Sequence, residues 1–227
     1  MGRRLAVLLI ACLAVPVAAL AVDATHDPKR KINAADERKA ASIVLKRADF
    51  AAGWKRTPSS GDDDELGCPY YRPDGSDLTL TGDAMSDFEA AGGVPAVQSY
   101  ADVYVSAKDA AAGWSRTVKV AMARCFGDFF RREAAGTPNV KVSAVTYGKL
   151  AFPKLAPRTA AFRIGITVTY TENGRSASVP VALHLVVVGR GRAEAGVATI
   201  APKPGIAAAE LRVFGKLLAD RMKAAGF

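Results

Sequence analysis

The chain has 227 residues, with 31 Lys plus Arg against 22 Asp plus Glu, half of its residues apolar and 7% aromatic, a composition that excludes a disordered chain and can bury the core of one ordinary domain. The charge is lopsided: residues 22–111 carry 11 basic and 16 acidic side chains, whereas residues 112–227 carry 18 and 6. That basic half suits an anionic membrane surface or wall polymer, and the lack of interleaved aromatic and basic residues excludes nucleic acid as a partner.

The first segment, "MGRRLAVLLIACLAVPVAALAVDA", has Arg3 and Arg4, then an uncharged stretch over residues 5–22 with small residues at Ala19 and Ala21. This is the layout of a signal peptide over residues 1–21, cleaved after Ala21 or Ala24. Two rivals exist. Residues 5–22 are just long enough for an uncleaved membrane anchor, and Leu9-Ile10-Ala11-Cys12 matches a lipidation box locally, although cleavage before Cys12 would strand ten further apolar or small residues. With the leader removed, the product is secreted or extracytoplasmic. It then keeps two cysteines, Cys68 and Cys125, in a compartment where an even pair reads as a disulfide. Closing the intervening loop stabilises by about 4 kcal/mol in the chain-entropy account; the alternative is two buried thiols.

Residues 22–32 are polar, carry Lys29-Arg30-Lys31, lack an apolar period and read as a flexible tether. The remaining residues, 33–227, read as a single domain. Asn33 caps a helix starting near Ala34, with Asp36 and Glu37 in the first turn and Ala40, Ile43, Val44 and Arg47 on one side. The stretch "ADFAAGWKRTPSSGDDDELGCP" breaks this period. Its Asp62-Asp63-Asp64-Glu65 run lacks the order of a calcium loop and reads as a solvated acidic loop. "SDLTLTGDAMSDFEA" and "VPAVQSYADVYVS" read as strands, the second alternating Val97, Ser99, Ala101, Val103, Val105 against Gln98, Tyr100, Asp102, Tyr104.

Ser106 opens a helix with Asp109 in the capping-box position. Ala111, Trp114, Val118, Met122, Cys125 and Phe129 follow at spacings of three and four, to about Glu133, with Gly113 or Gly127 as sites for a break. Such an aromatic stripe could line a ligand cavity, but core packing is the commoner role. Residues 140–150 read as an irregular strand. In "TAAFRIGITVTYTENGRSASVPVALHLVVVGRGR", Asn173-Gly174 suits a two-residue type I′ turn. Setting Glu172 opposite Arg175 pairs Tyr170 with Ala177, Val168 with Val179, Ile166 with Val181, Ile164 with Leu183 and Phe162 with Leu185, so turn and pattern agree. A turn at Arg190-Gly191 returns residues 193–201 along the same strand and ends near Pro180. Ile206, Leu211, Phe214, Leu218 and Met222 trace the face of a closing helix. The fold class is α+β: an antiparallel meander packed against two or three helices, with one disulfide.

Chemistry-bearing motifs are missing. There is no Gly-rich phosphate loop, zinc-protease helix or nucleophile elbow. His26 and His184 are the only histidines, and neither has metal-ligand spacing to a cysteine. His184, set opposite Arg163 without a carboxylate or nucleophile beside it, reads as a packing residue. No cofactor, metal or catalytic residue is expected.

The segments "LKRADFAAGW", "DLTLTGDAMS", "VQSYADVYVSAKDAAAGW" and "VVVGRGRAEAGVATI" resemble exported actinobacterial sensor-like domains, the extracellular domains of PknH-type receptor kinases and their secreted or lipoprotein relatives. The resemblance covers residues 45–222 and implies a sheet with helices against it, a central cleft, and binding without catalysis. The sequence therefore points to a secreted, non-enzymatic, sensor-like domain of the cell envelope holding a small or lipid-like envelope ligand. The alternative is a lipid carrier or an interaction protein docking on anionic membrane or wall components.

Overall fold

The computed structural model describes residues 26–58 and 67–227. The signal peptide over residues 1–21, Cys12 and the acidic run at residues 62–65 lie outside the described residues. No helix among the described residues is long and apolar enough to cross a membrane.

Asn173 and Gly174 both take positive φ, 50° and 73°, as a type I′ turn requires. They join β6 (Arg158–Glu172) to β7 (Arg175–Arg190) in the register read from the sequence, with Glu172 opposite Arg175 and Phe162 opposite Leu185. Thr167 faces Pro180. Gly191, with φ 53°, turns β7 into β8 (Ala193–Pro202), which runs back to pair Pro202 with Val181. β5 (Val140–Lys149) pairs with β6 and is interrupted by a bulge between Ser143 and Thr146, which accounts for its irregular alternation.

β3 (Thr79–Glu89) and β4 (Ala96–Tyr104) extend the sheet beyond β8. Two short strands, β1 (Lys29–Arg30) and β2 (Lys55–Thr57), share the outer side of β3, so the sheet has eight strands among the described residues, in the order β1-β3-β4-β8-β7-β6-β5 with β2 off this path beside β3. β1 departs from the tether reading. The amides of Lys29, Lys31 and Asn33 donate to the carbonyls of Leu78, Leu80 and Thr81 at 2.9, 2.8 and 2.9 Å, so the polar segment is a parallel edge strand. β2 likewise falls in a stretch read as loop. Edge strands of two or three exposed residues leave no apolar period to detect.

Alternating residues bury against different layers. Ala101 and Val103 of β4, Val186 and Val188 of β7 and Ala195 and Val197 of β8 pack with α1 (Ala34–Ile43) and α4 (Ala208–Ala224). Leu211, Phe214, Leu218 and Met222 are the buried stripe of α4, as their spacing predicts. Ser86 and Ser99 are the polar exception. Leu45 N donates to Ser99 Oγ at 2.8 Å and Ser86 Oγ donates to Leu45 O at 2.9 Å, so the two serines satisfy the backbone that crosses this face. The helix α1 ends at Ile43, which leaves Arg47 in an exposed 3₁₀ turn (Arg47–Asp49) instead of on the helix face.

Ion pairs strap this layer down. Arg192 reaches from the β7–β8 turn to Asp36 on α1 at 2.7 and 2.5 Å and also donates to Tyr104 O at 3.0 Å. Arg221 on α4 holds Asp49 at 2.8 and 2.7 Å.

The opposite face carries α2 (Ala107–Thr117) and α3 (Val120–Ala135). The single helix expected here is two, broken at Val118 and Lys119, while Gly113 and Gly127 lie within the helices. Gly113 is required where it stands, since a Cβ there would meet the Tyr104 hydroxyl at 2.9 Å. Among the described residues four α-helices, two per face, therefore enclose the sheet, and the α+β assignment holds with both faces covered. That covering explains why β7 reads as an almost unbroken apolar run.

Cys68 and Cys125 form a disulfide with Cα atoms 5.8 Å apart. Cys125, Met122 and Phe129 sit in the core between α3 and β5–β7, so those members of the stripe are packing residues. Ala111 is exposed and its neighbour Ala110 takes the buried position.

Candidate functional site

α3 covers the β5–β7 half of its face with apolar side chains. The β3–β4–β8 half is different. There β4 directs Gln98, Tyr100, Asp102 and Tyr104 at the side opposite α1 and α4, and α2 covers only one end, where Tyr104, Leu78, Leu80 and Ala110 cluster. Between them lies a cavity of about 220 Å³. Its walls are Leu78, Leu80, Met85, Tyr100 and Tyr104, and its rim is made by residues 26–30, residues 73–75, Gly113, Arg116 and Thr117. The disulfide positions part of that rim from a distance, since it holds residue 68 on α3 a few residues before Pro73. Tyr71 ties the same segment to α2 by donating to Thr117 O at 2.7 Å.

The floor of the cavity is acidic because of strand register. Asp83 on β3 stands opposite Asp102 on β4, and Asp102 stands opposite Glu194 on β8. The same row continues through Gly189 on β7 to Arg158 on β6. Arg158 lies over Gly189, where a Cβ would collide with its Nε, and donates to the carbonyls of Gly191 and Ala193, both at 3.2 Å. At the other end Arg30 pairs with Asp83 at 2.8 Å. The row is therefore three carboxylates between two arginines.

The two inner carboxylates have few partners. Glu194 is 4% exposed; Oε1 accepts from the Tyr100 hydroxyl at a long 3.5 Å, and Oε2 has no hydrogen-bond partner among the described residues. Burial, reinforced by Asp102, pushes the Glu194 pKa up to about 8. Burial and the nearby Asp83 raise Asp102 to about 7. Tyr100, whose ring rests on Gly196, is pushed well above its ordinary value by burial and then by Glu194 and Asp102. The largest cause of all three shifts is burial: the ionised forms have lost water, and the nearby charges of Arg158 and Arg30 offset only part of that loss at Glu194 and Asp102.

The residues singled out in the sequence fall elsewhere. Cys68 and Cys125 are in the disulfide beneath α3. Trp114 faces Arg158, with the guanidinium 5.8 Å from the ring centre. His184 is half-buried on the opposite face of the sheet, packed under Gly205, and burial followed by the charge of Arg163 lowers its pKa. No group of three or more His, Cys, Asp or Glu is placed to hold a metal ion among the described residues. Asp83, Asp102 and Glu194 were missed because the sequence separates them widely and only register unites them. Two signals pointed to them: Glu194 is a lone charge in the apolar run "AEAGVATIA", and the polar face of β4 carries tyrosines with no lysine or arginine.

No family model matches the chain, and no curated protein matches its sequence. Among solved structures, the extracellular domain of PknH from Mycobacterium tuberculosis is similar over 88% of this chain and 98% of that one, at 10% identity and a TM-score of 0.39. That likeness is distant and bears on neither role, ligand nor partner.

Proposed function

We propose that this chain is an extracytoplasmic, non-enzymatic ligand-binding domain of the bacterial cell envelope, sensor-like in that one small envelope molecule occupies the cavity beside α2. The observation that carries the reading is the cavity itself: apolar and aromatic walls with a few convergent polar groups, Tyr100, Asp102 and Glu194, at its floor. Export rests on the signal-peptide layout of residues 1–21 and accords with a Cys68–Cys125 disulfide, which persists in oxidising compartments.

Tyr100 beside Glu194 is the arrangement that comes nearest to catalysis. An activated nucleophile needs a depressed pKa or an adjacent base poised to take its proton. The phenol of Tyr100 is instead raised well above its ordinary value, and Glu194 and Asp102 are shifted in the same direction, not apart as an acid and base pair requires. Binding fits this chemistry better than turnover.

Size separates a small ligand from a lipid. A cavity of about 150 Å³ holds benzene, so by proportion the cavity here takes roughly nine non-hydrogen atoms. That supports a small molecule over the carrier alternative.

Native mass spectrometry of the protein purified from its own envelope tests the reading. A retained small molecule is expected, and it should be lost from Met85→Trp, which fills the cavity at its β3 wall, provided the circular dichroism spectrum is unchanged. A protein without bound mass, together with salt-sensitive sedimentation on anionic liposomes, would replace this reading with membrane docking. N-terminal sequencing of the exported product should begin at Val22 or Thr25.

A further inference from the structure

We infer that the cavity selects a small organic cation, a protonated amine on an apolar body, with its ammonium between Asp102 and Glu194 and its body against Tyr100, Tyr104, Leu78 and Leu80. The inference rests on the ligand-binding reading above and specifies the chemistry of the ligand.

Glu194 is the first ground. It is nine-tenths buried, lines the cavity, and keeps Oε2 without a donor. A buried acceptor left unpaired is unfavourable, and an ionised carboxylate only accepts hydrogen bonds. A ligand that binds the ionised form must therefore bring a donor, best a charged one. Position is the second ground. Asp102 lies directly across from Glu194 in the strand pairing; Arg30 is engaged by Asp83, and Arg158, whose charge acts on Glu194 along the row, donates to the carbonyls of Gly191 and Ala193, so neither inner carboxylate is hydrogen-bonded to a cation among the described residues. A primary ammonium carries three donors and can serve both carboxylates at once.

The walls argue against a bare metal ion. Calcium or magnesium demands about six or more oxygen ligands, whereas this cavity offers aliphatic and phenolic surface. The same rings suit an organic cation, whose charge is attracted to an aromatic face. Apolar surface also favours a ligand with a hydrophobic body over a polyol.

Protonation is coupled to binding. With Asp102 raised to about 7 and Glu194 to about 8, the empty pair retains protons near neutrality. Seating a cation ionises the pair and releases protons, so affinity rises with pH until both carboxylates are ionised. The charged and titratable groups facing the pair are Asp83 on β3, Arg30 on β1, Tyr100 and Tyr104 on β4, Arg158 on β6 and Tyr71, with His26, Asp27, Asp74 and Arg116 at the rim.

The test uses three probes matched to the cavity: 2-phenylethylamine, its neutral isostere 2-phenylethanol and the anion phenylacetate, titrated calorimetrically into the disulfide-bonded protein at pH 6 and pH 8.5. The amine should bind about tenfold or more tightly than the alcohol, the anion should bind weakest, and the affinity for the amine should rise about tenfold or more between the two pH values. Heats measured in buffers of different ionisation enthalpy should report proton release. The double variant Glu194→Gln/Asp102→Asn, checked for folding by circular dichroism, should remove both the preference for the amine and its pH dependence while the alcohol still binds, and each single variant should weaken both. If the alcohol or the anion binds as tightly as the amine, the cation inference falls and the ligand-binding reading stands. A pH dependence that survives in the double variant belongs to another group and also overturns the inference. Failure of every probe overturns it as well, and the retained mass from the envelope-purified protein then decides the broader reading separately.

Discussion

Replacing Glu194 with glutamine should reverse an ordinary expectation, because removing a buried ionisable residue that its surroundings hold protonated will stabilise the protein at neutral pH more than at acid pH. Glu194 titrates near 4.5 when unfolded and at about 8 in the native protein. An acid with a raised native pKa binds its proton more tightly in the folded state, so stability is greatest below the unfolded pKa and declines as pH rises through 4.5 towards 8. At pH 7.5 the decline amounts to about 4 kcal/mol relative to a side chain that does not titrate, and at pH 5 it is below about 1 kcal/mol. Glutamine keeps the shape and the oxygen that accepts from Tyr100 but does not titrate. The difference between Glu194→Gln and the parent should therefore move by about 3 kcal/mol in favour of glutamine between pH 5 and pH 7.5, corresponding to about 6–12 °C in midpoint for a domain of this size. Urea unfolding at the two pH values measures it, with Asp102 leaving a shallower slope in both proteins. An equal difference at the two pH values would refute the claim that Glu194 is held protonated by its surroundings.

Three further outcomes follow from the packing. Arg192→Ala should lose about 3–5 kcal/mol in denaturant unfolding, because Asp36 stays buried without its cation, and Arg192→Lys should recover only part, as an ammonium cannot span both carboxylate oxygens in the same fork. Since hydrogen bonds from Arg192 hold Asp36 below the usual carboxylate range, this stabilisation should persist at neutral pH and vanish only in strong acid. Replacing Cys68 and Cys125 together by serine should cost about 4 kcal/mol for release of the 57-residue loop, and labelling of the native protein without reductant should find neither thiol; two labelled cysteines would refute the pairing. Gly196→Ala should displace the Tyr100 ring, destabilise by about 1–3 kcal/mol, and weaken probe binding in the same calorimetric titration.

The fold was most legible where two independent local signals agreed. Asn173-Gly174 specified the turn and the alternation on either side specified the register, so fifteen cross-strand pairs of β6 and β7 could be read before any coordinate. The closing helix was legible for the same reason, its stripe of Leu211, Phe214, Leu218 and Met222 having the right period. Val118 and Lys119 hid the break between α2 and α3, because the three-four spacing runs through it unchanged. The candidate site was illegible as a site. The pattern of β4 correctly put Tyr100, Asp102 and Tyr104 on one side, but a polar side of a strand reads as solvent-facing unless something is known to cover it. The cover comes from α2 and from residues 26–30, and the second carboxylate comes from a strand some ninety residues later.

The two margins of the sheet have a consequence for how the protein behaves when crowded. One is broken into the short pieces β1 and β2, studded with Lys29, Arg30, Lys55 and Arg56; the other, β5, is kinked by its bulge and displays Lys141 and Lys149. Neither presents the long, flat, uncharged ribbon on which a second molecule could continue the hydrogen-bonded ladder. A protein whose interior strands are this rich in valine and alanine would otherwise risk stacking into fibres. Its frayed and charged borders keep such molecules apart at high local concentration.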